Sequence, residues 1–135
     1  MCPISSRNGV QSSRHRVLVV DDYPDSGELI CALLTTLGHE TRFADSGRAA
    51  LAEAHAFDPD VVILDLGLPD MDGCDVARAL RRLRLLGPLH IVALTGWNHS
   101  DRRRLALAAG CDQFVLKPCS GAKLKAILRE IDRPA

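Results

Sequence analysis

Apolar residues fall along the chain in two alternating rhythms, short unbroken runs and longer stretches at helical spacing. Residues 17–20 (VLVV) form a β-branched and Leu run that ends in Asp21-Asp22 and suits a strand buried on both faces. Pro24 then opens a helix in which Ile30, Leu33, Leu34 and Leu37 recur at i, i+3, i+4 and i+7, and Gly38 stops it. Residues 40–44 read as a short strand of more polar, edge-like make-up. Ser46 is an N-cap for an Ala-rich helix reaching about Ala56. Residues 60–66 (DVVILDL) are the second fully buried strand. A loop rich in Gly, Pro and Asp spans residues 67–73. The helix after it, with Val76, Leu80 and Leu83 inward, is expected to reach about Leu86, where Gly87-Pro88 breaks it. Residues 90–94 give a third buried strand. Asn98 or Ser100 caps a helix running to Gly110, residues 113–116 are the last strand, and the closing helix carries Leu124, Ile127, Leu128 and Ile131.

Five alternating β and α units with apolar strands predict a doubly wound α/β fold, a parallel sheet with helices on both faces. The carboxyl ends of such strands border a crevice where ligands bind. The Ser-rich polar segment 1–15 is expected to be a flexible tail, and 16–135 one domain. Little chain follows the fifth helix, so no output domain is expected there.

Composition narrows the function classes. The net charge of +0 and the pI near neutrality give no bulk attraction to nucleic acid or anionic lipid, and neither partner is expected. Arg81, Arg82 and Arg84, and Arg102, Arg103 and Arg104, fall on predicted helices and read as solvated outer faces. Five cysteines without a C-x-x-C pair argue against a disulfide framework or a zinc site. With no apolar leader and no membrane-length run, a cytoplasmic protein is expected.

The chemistry sits at the strand ends. The first strand ends in Asp21-Asp22, the third in Asp65, the fourth in Thr95 and the fifth in Lys117-Pro118. In a parallel sheet these points share one edge, so the side chains converge. Three crowded carboxylates either hold a proton or bind a dication, and an all-oxygen site with open water positions suits Mg²⁺. Lys117 offers a compact cation and Thr95 a hydroxyl. Such a site holds a phosphoryl group, and a carboxylate within it can act as nucleophile to form an aspartyl phosphate.

The segments VLVVDD, LDLGLPDMDG, ALTG and FVLKP, in order and across about residues 16–133, resemble the receiver domain of response regulators. The resemblance implies a flavodoxin-like sheet of order 2-1-3-4-5, with Asp65 as phosphoacceptor. It implies Mg²⁺ held by Asp22, Asp65 and the Gly67 carbonyl, with Asp21 acting mainly through a bound water. Thr95 and Lys117 would bind phosphoryl oxygens, and the Lys117-Pro118 bond would be cis. Thr95 and Phe114 would form a conformational switch. The implied partners are a histidine kinase or histidine phosphotransfer protein and a downstream protein target. The wording GLPDMDG, ALTGW and AAGCDQFVLKP is similar to receivers of hybrid sensor kinases.

Other readings are weaker on the residues. A haloacid-dehalogenase-type phosphohydrolase needs D-x-D after the first strand, whereas here the acids are adjacent. A phosphorylation-independent pseudo-receiver would lack an acid, the Thr or the Lys, and none is missing. Asp70, Asp72 and Asp75 follow the turn chemistry of PDMDG and read as turn and cap residues. His90 and His99 read as incidental, and the cysteines as structural thiols. Trp97, two residues beyond Thr95, is expected to shield the phosphoryl group from water.

Overall fold

The computed structural model describes residues 14–83, 85, 87–96 and 100–132. Its elements are β1 (Arg16–Val20), α1 (Pro24–Thr36), β2 (Glu40–Ala44), α2 (Gly47–Phe57) and β3 (Val61–Asp65). They continue with α3 (Gly73–Arg82), β4 (His90–Thr95), α4 (Ser100–Ala108), β5 (Gln113–Leu116) and α5 (Gly121–Asp132). The five strands pair in parallel in the order β2-β1-β3-β4-β5. The doubly wound expectation and the strand order implied by resemblance both match.

The two-residue period of a strand sorts the sheet into two cores. Val17, Val19, Ile63, Val92, Leu94 and Val115 face α1 and α5, packing with Ile30, Leu34, Leu124, Ile127 and Leu128. Leu18, Val20, Val62, Leu64, Ile91 and Ala93 face the other way, toward Ala50, Ala54, Val76, Leu80 and Ala106 of α2, α3 and α4. Every residue of β3 is buried, which explains its unbroken apolar run.

The chain departs from the periodic reading in three places. α3 ends at Arg82, short of the expected Leu86: Leu83 is its C-cap, with extended backbone (φ −70, ψ 147). Leu83 is nonetheless half-buried against the core, and apolar spacing does not distinguish a last helical residue from an inward residue of the following turn. Arg84 and Leu86 lie outside the described residues, as do Asn98 and His99. Leu37, expected inward, is the C-cap of α1 and 37% exposed, because Gly38 (φ +99) turns the chain there. Third, Arg81 is no idle surface charge. Its guanidinium reaches the carbonyls of Leu89 and Gly110 and the carboxylate of Asp112, joining α3 to the residues just before β4 and β5.

Among the described residues, His15, the last residue of the expected tail, is already packed into the fold. His15 is buried; its amide donates to His39 Nδ1 at 3.0 Å and its ring lies 2.7 Å from Asp60 Oδ2. Asp60 Oδ1 accepts from the Arg16 amide at 2.7 Å, and Arg16 pairs with Glu40 at 2.9 Å. The start of β1 is thereby clasped to the starts of β2 and β3.

This clasp has a pH signature. Burial works against the Asp60 charge, but the His15 ring and the Arg16 amide outweigh it and hold the carboxyl below its ordinary range. An unfolded chain therefore binds this proton more readily. The contribution is complete above the unfolded pKa of about 3.9 and fades as pH falls through the lower folded value. Urea midpoints of the parent and Asp60→Asn should differ most near neutrality and converge below about pH 4. A gap that stays constant across that range contradicts the assignment.

Candidate functional site

Parallel register brings the carboxyl ends of four strands to one edge. Asp65 pairs with Leu94, and Thr95 with Leu116, so Asp65, Thr95 and Lys117 stand at neighbouring strand ends. Asp21 follows β1 directly, its amide bonded to the Ala44 carbonyl of β2 at 3.0 Å. The Lys117 amide donates to the Thr95 carbonyl at 2.8 Å, which ties the ends of β4 and β5 together, and the Lys117-Pro118 bond is cis.

Asp65 is buried, and each of its oxygens has a partner. Oδ1 accepts from the Gly67 amide at 2.9 Å and Oδ2 from Lys117 Nζ at 2.9 Å. Asp21 is 1% exposed; its Oδ1 accepts from the Tyr23 amide at 2.9 Å, while Oδ2 has no hydrogen-bond partner and lies 3.9 Å from Lys117 Nζ. Asp22 is exposed at the same edge. Ligand oxygens of Asp21, Asp22 and Asp65 lie within 4.8 Å of one another. Thr95 is buried and Phe114 half-buried. Phe114 pairs with Ala93, so Phe114 and Thr95 project toward the same face of the sheet, that of α3 and α4. Trp97 lies outside the described residues.

Formal charge at this edge does not balance. Three carboxylates against one ammonium leave two negative charges. Two unit charges 4.8 Å apart repel by about 3 kcal/mol at an effective dielectric of about 20. Burial pushes the Asp21 carboxyl up, and the Tyr23 amide, the Lys117 charge and Ser26 only partly offset it. Burial alone would lower Lys117, but its bond to Asp65 and the charges of Asp65, Asp21 and Asp22 outweigh this and raise it. The orphaned Asp21 oxygen and the two uncompensated charges fit a dication with oxygen ligands.

The loop after Asp65 is shaped by features that pattern reading missed. A Cβ on Gly73 would lie 2.5 Å from the Leu66 Cα, so only glycine lets α3 start against the loop after Asp65. Asp72 caps α3, accepting from the Cys74 amide at 2.9 Å, as its turn chemistry suggests. Asp70 instead caps a different helix, accepting from the Gly47 and Arg48 amides of α2 at 2.8 and 3.1 Å. At Gly67 space makes no such demand, since a Cβ there would sit 3.6 Å from Asp65 Oδ1.

Residues 17–129 match the response regulator receiver domain. The transcriptional regulatory protein KdpE of Mycobacterium tuberculosis is 42% identical over 113 residues, 84% of this chain and 49% of that protein. The DNA-binding response regulator MtrA of Mycolicibacterium smegmatis is 37% identical over 120 residues, 89% of this chain and 51% of its own length. The chain thus spans about half the length of these relatives. Among solved structures, the chemotaxis protein CheY4 of Vibrio cholerae superposes with a TM-score of 0.83 at 28% identity, covering 88% of this chain and 99% of that one. The receiver domain of the sensor histidine kinase PA1611 of Pseudomonas aeruginosa has a TM-score of 0.78 at 29% identity, covering 87% and 97%, with a magnesium ion in its active-site cleft.

The glycine contact yields a direct stability test. Gly73→Ala gains helix propensity of up to ~1 kcal/mol but drives a methyl into backbone, so a net loss of about 1–3 kcal/mol is expected in urea unfolding. Gly96→Ala, where a Cβ meets nothing within 4 Å, should stay near the parent.

Proposed function

This chain belongs to the response regulator receiver domain family of two-component signalling, and on that premise we propose that Asp65 is its phosphoacceptor. The observation that carries the reading is the set around that carboxylate. Lys117 holds one of its oxygens at 2.9 Å, and two further carboxylates have oxygens within 4.8 Å of it. An Asp65 oxygen attacks the phosphorus of a phosphohistidine, the P–N bond breaks, and the imidazole leaves with the bonding pair. Lys117 then exchanges its bond to Asp65 for one to the incoming phosphoryl oxygens, with the Thr95 hydroxyl as a second donor. Asp22, Asp65 and the Gly67 carbonyl would hold Mg²⁺, with Asp21, held by the Tyr23 amide, acting mainly through a bound water. The ion supplies neutralisation of the phosphoryl charge when bound.

The domain is a signalling module, and its only chemistry in this reading is its own phosphorylation and dephosphorylation. An apolar groove of about 430 Å³ runs beside Lys117 between α1 and the β5–α5 loop, lined by Leu29, Leu33, Pro118 and Cys119. It supports a protein donor, a histidine kinase or phosphotransfer protein, acting in the cytoplasm. No described helix is long and apolar enough to cross a membrane. The expectation of no nucleic-acid partner is kept for this domain alone, because the longer relatives include a DNA-binding regulator of which it spans 51%. Thr95 and Phe114, on one face of the sheet, form the switch that carries the phosphorylated state to α4, β5 and α5.

Incubation with a small acyl phosphate and Mg²⁺ should add one hydroxylamine-labile phosphate to the parent and none to Asp65→Asn. Uptake by that variant at the parent rate rejects Asp65 as acceptor, and turnover of small phosphate esters would favour a phosphohydrolase. Asp22→Ala should lose most Mg²⁺ affinity while keeping its fold, measured by titration followed by NMR. In the beryllofluoride complex, amide shifts should reach Phe114 and α4; shifts confined to the loops around Asp65 count against the switch.

A further inference from the structure

The amino terminus of α2 is capped from two directions. Ser46 Oγ accepts from the Ala49 amide at 3.1 Å, the usual cap supplied by a helix's own sequence. The Gly47 and Arg48 amides go to Asp70, through Oδ1 at 2.8 Å and Oδ2 at 3.1 Å. Asp70 stands in the middle of the loop between β3 and α3, the loop that leaves Asp65 directly. Helices routinely leave first-turn amides to water, so α2 does not need a second cap to form. What Asp70 adds is a fixed point for the loop.

The packing agrees. A Cβ on Gly47 would lie 2.8 Å from Met71 Sδ and 2.9 Å from Val76 Cγ2, so the residue beside Asp70 rests directly on the start of α2. Other bonds secure only the loop's ends: Gly67 to Asp65, Gly73 to Leu66 and Cys74 to Asp72. Among the described residues, the two Asp70 bonds are the hydrogen bonds made by residues 68–71. The Gly47 and Arg48 amides keep the Asp70 carboxyl below its ordinary range, and a helix start favours a negative charge.

We propose that Asp70 is a positioning residue for phosphoryl uptake, clamping the acceptor loop to α2 so that the Gly67 carbonyl and the Asp65 carboxylate keep their working arrangement. The inference rests on the reading of Asp65 as acceptor. Asp70 touches no reacting atom, and small displacements of such groups are known to cost large factors in rate.

The test compares four versions of this chain: parent, Asp70→Ala, Asp70→Asn and Ser46→Ala. Each is measured for urea stability, Mg²⁺ titration of the Gly67 amide by NMR, and phosphate uptake from a small acyl phosphate. Asp70→Ala should take up phosphate about tenfold more slowly and titrate with Mg²⁺ at higher concentration. Asp70→Asn keeps an acceptor oxygen and should recover part of both, and it serves as the measure should the Ala variant fail to fold. Ser46→Ala removes the other cap of the same helix and should lose stability while accepting phosphate at the parent rate. Parent-like uptake and titration in Asp70→Ala overturn the proposal, as does an equal slowing in Ser46→Ala, which would reduce the effect to helix capping. A parent that accepts no phosphate overturns the Asp65 reading itself, and the clamp's role with it.

Discussion

The crowding of Asp21, Asp22 and Asp65 around a single ammonium is imposed by backbone register rather than by side-chain choice. β1, β3 and β5 run in parallel with their ends in step, so residues that follow those ends have nowhere else to go. The repulsion is tolerated because β3 beneath Asp65 is fully buried and Val17 to Val20 of β1 are packed on both faces. Lys117 divides its charge unevenly, close to Asp65 and farther from Asp21. The most buried carboxylate oxygen thus keeps the weakest compensation.

The opposite edge of the sheet is built on the reverse principle. There the charges are paired: His15 with Asp60, Arg16 with Glu40, Arg81 with Asp112. Several of these side chains also bind backbone, Arg16 to the Phe57 carbonyl and Asp112 to the Ile91 amide. One edge uses its polar groups to hold strands together, and the other leaves Asp21 Oδ2 without a partner amid an excess of negative charge.

Most of the sheet was legible because its strands are short, apolar and bounded by acids, glycines and prolines. The second and fifth strands match the sequence boundaries to the residue. Helix ends were less legible, since Leu83 and Leu37 continue the apolar rhythm past the last turn. At the site, Asp21, Asp22, Asp65 and Lys117 could be placed because each abuts a strand whose direction the pattern fixes. Asp70 could not, because its partners Gly47 and Arg48 precede it by 23 and 22 positions and are backbone amides, invisible to residue type. His15 was hidden for a similar reason: a polar residue beside a polar segment gives no sign that it is itself buried against a carboxylate.

Arg14 and Ile131, from opposite ends of the described fold, line one cavity with Asp60, His90 and Asp112. The described fold therefore begins and ends on the side of the sheet away from Asp65. A fold whose first and last described elements meet on one side can be carried within longer proteins without a rebuilt core.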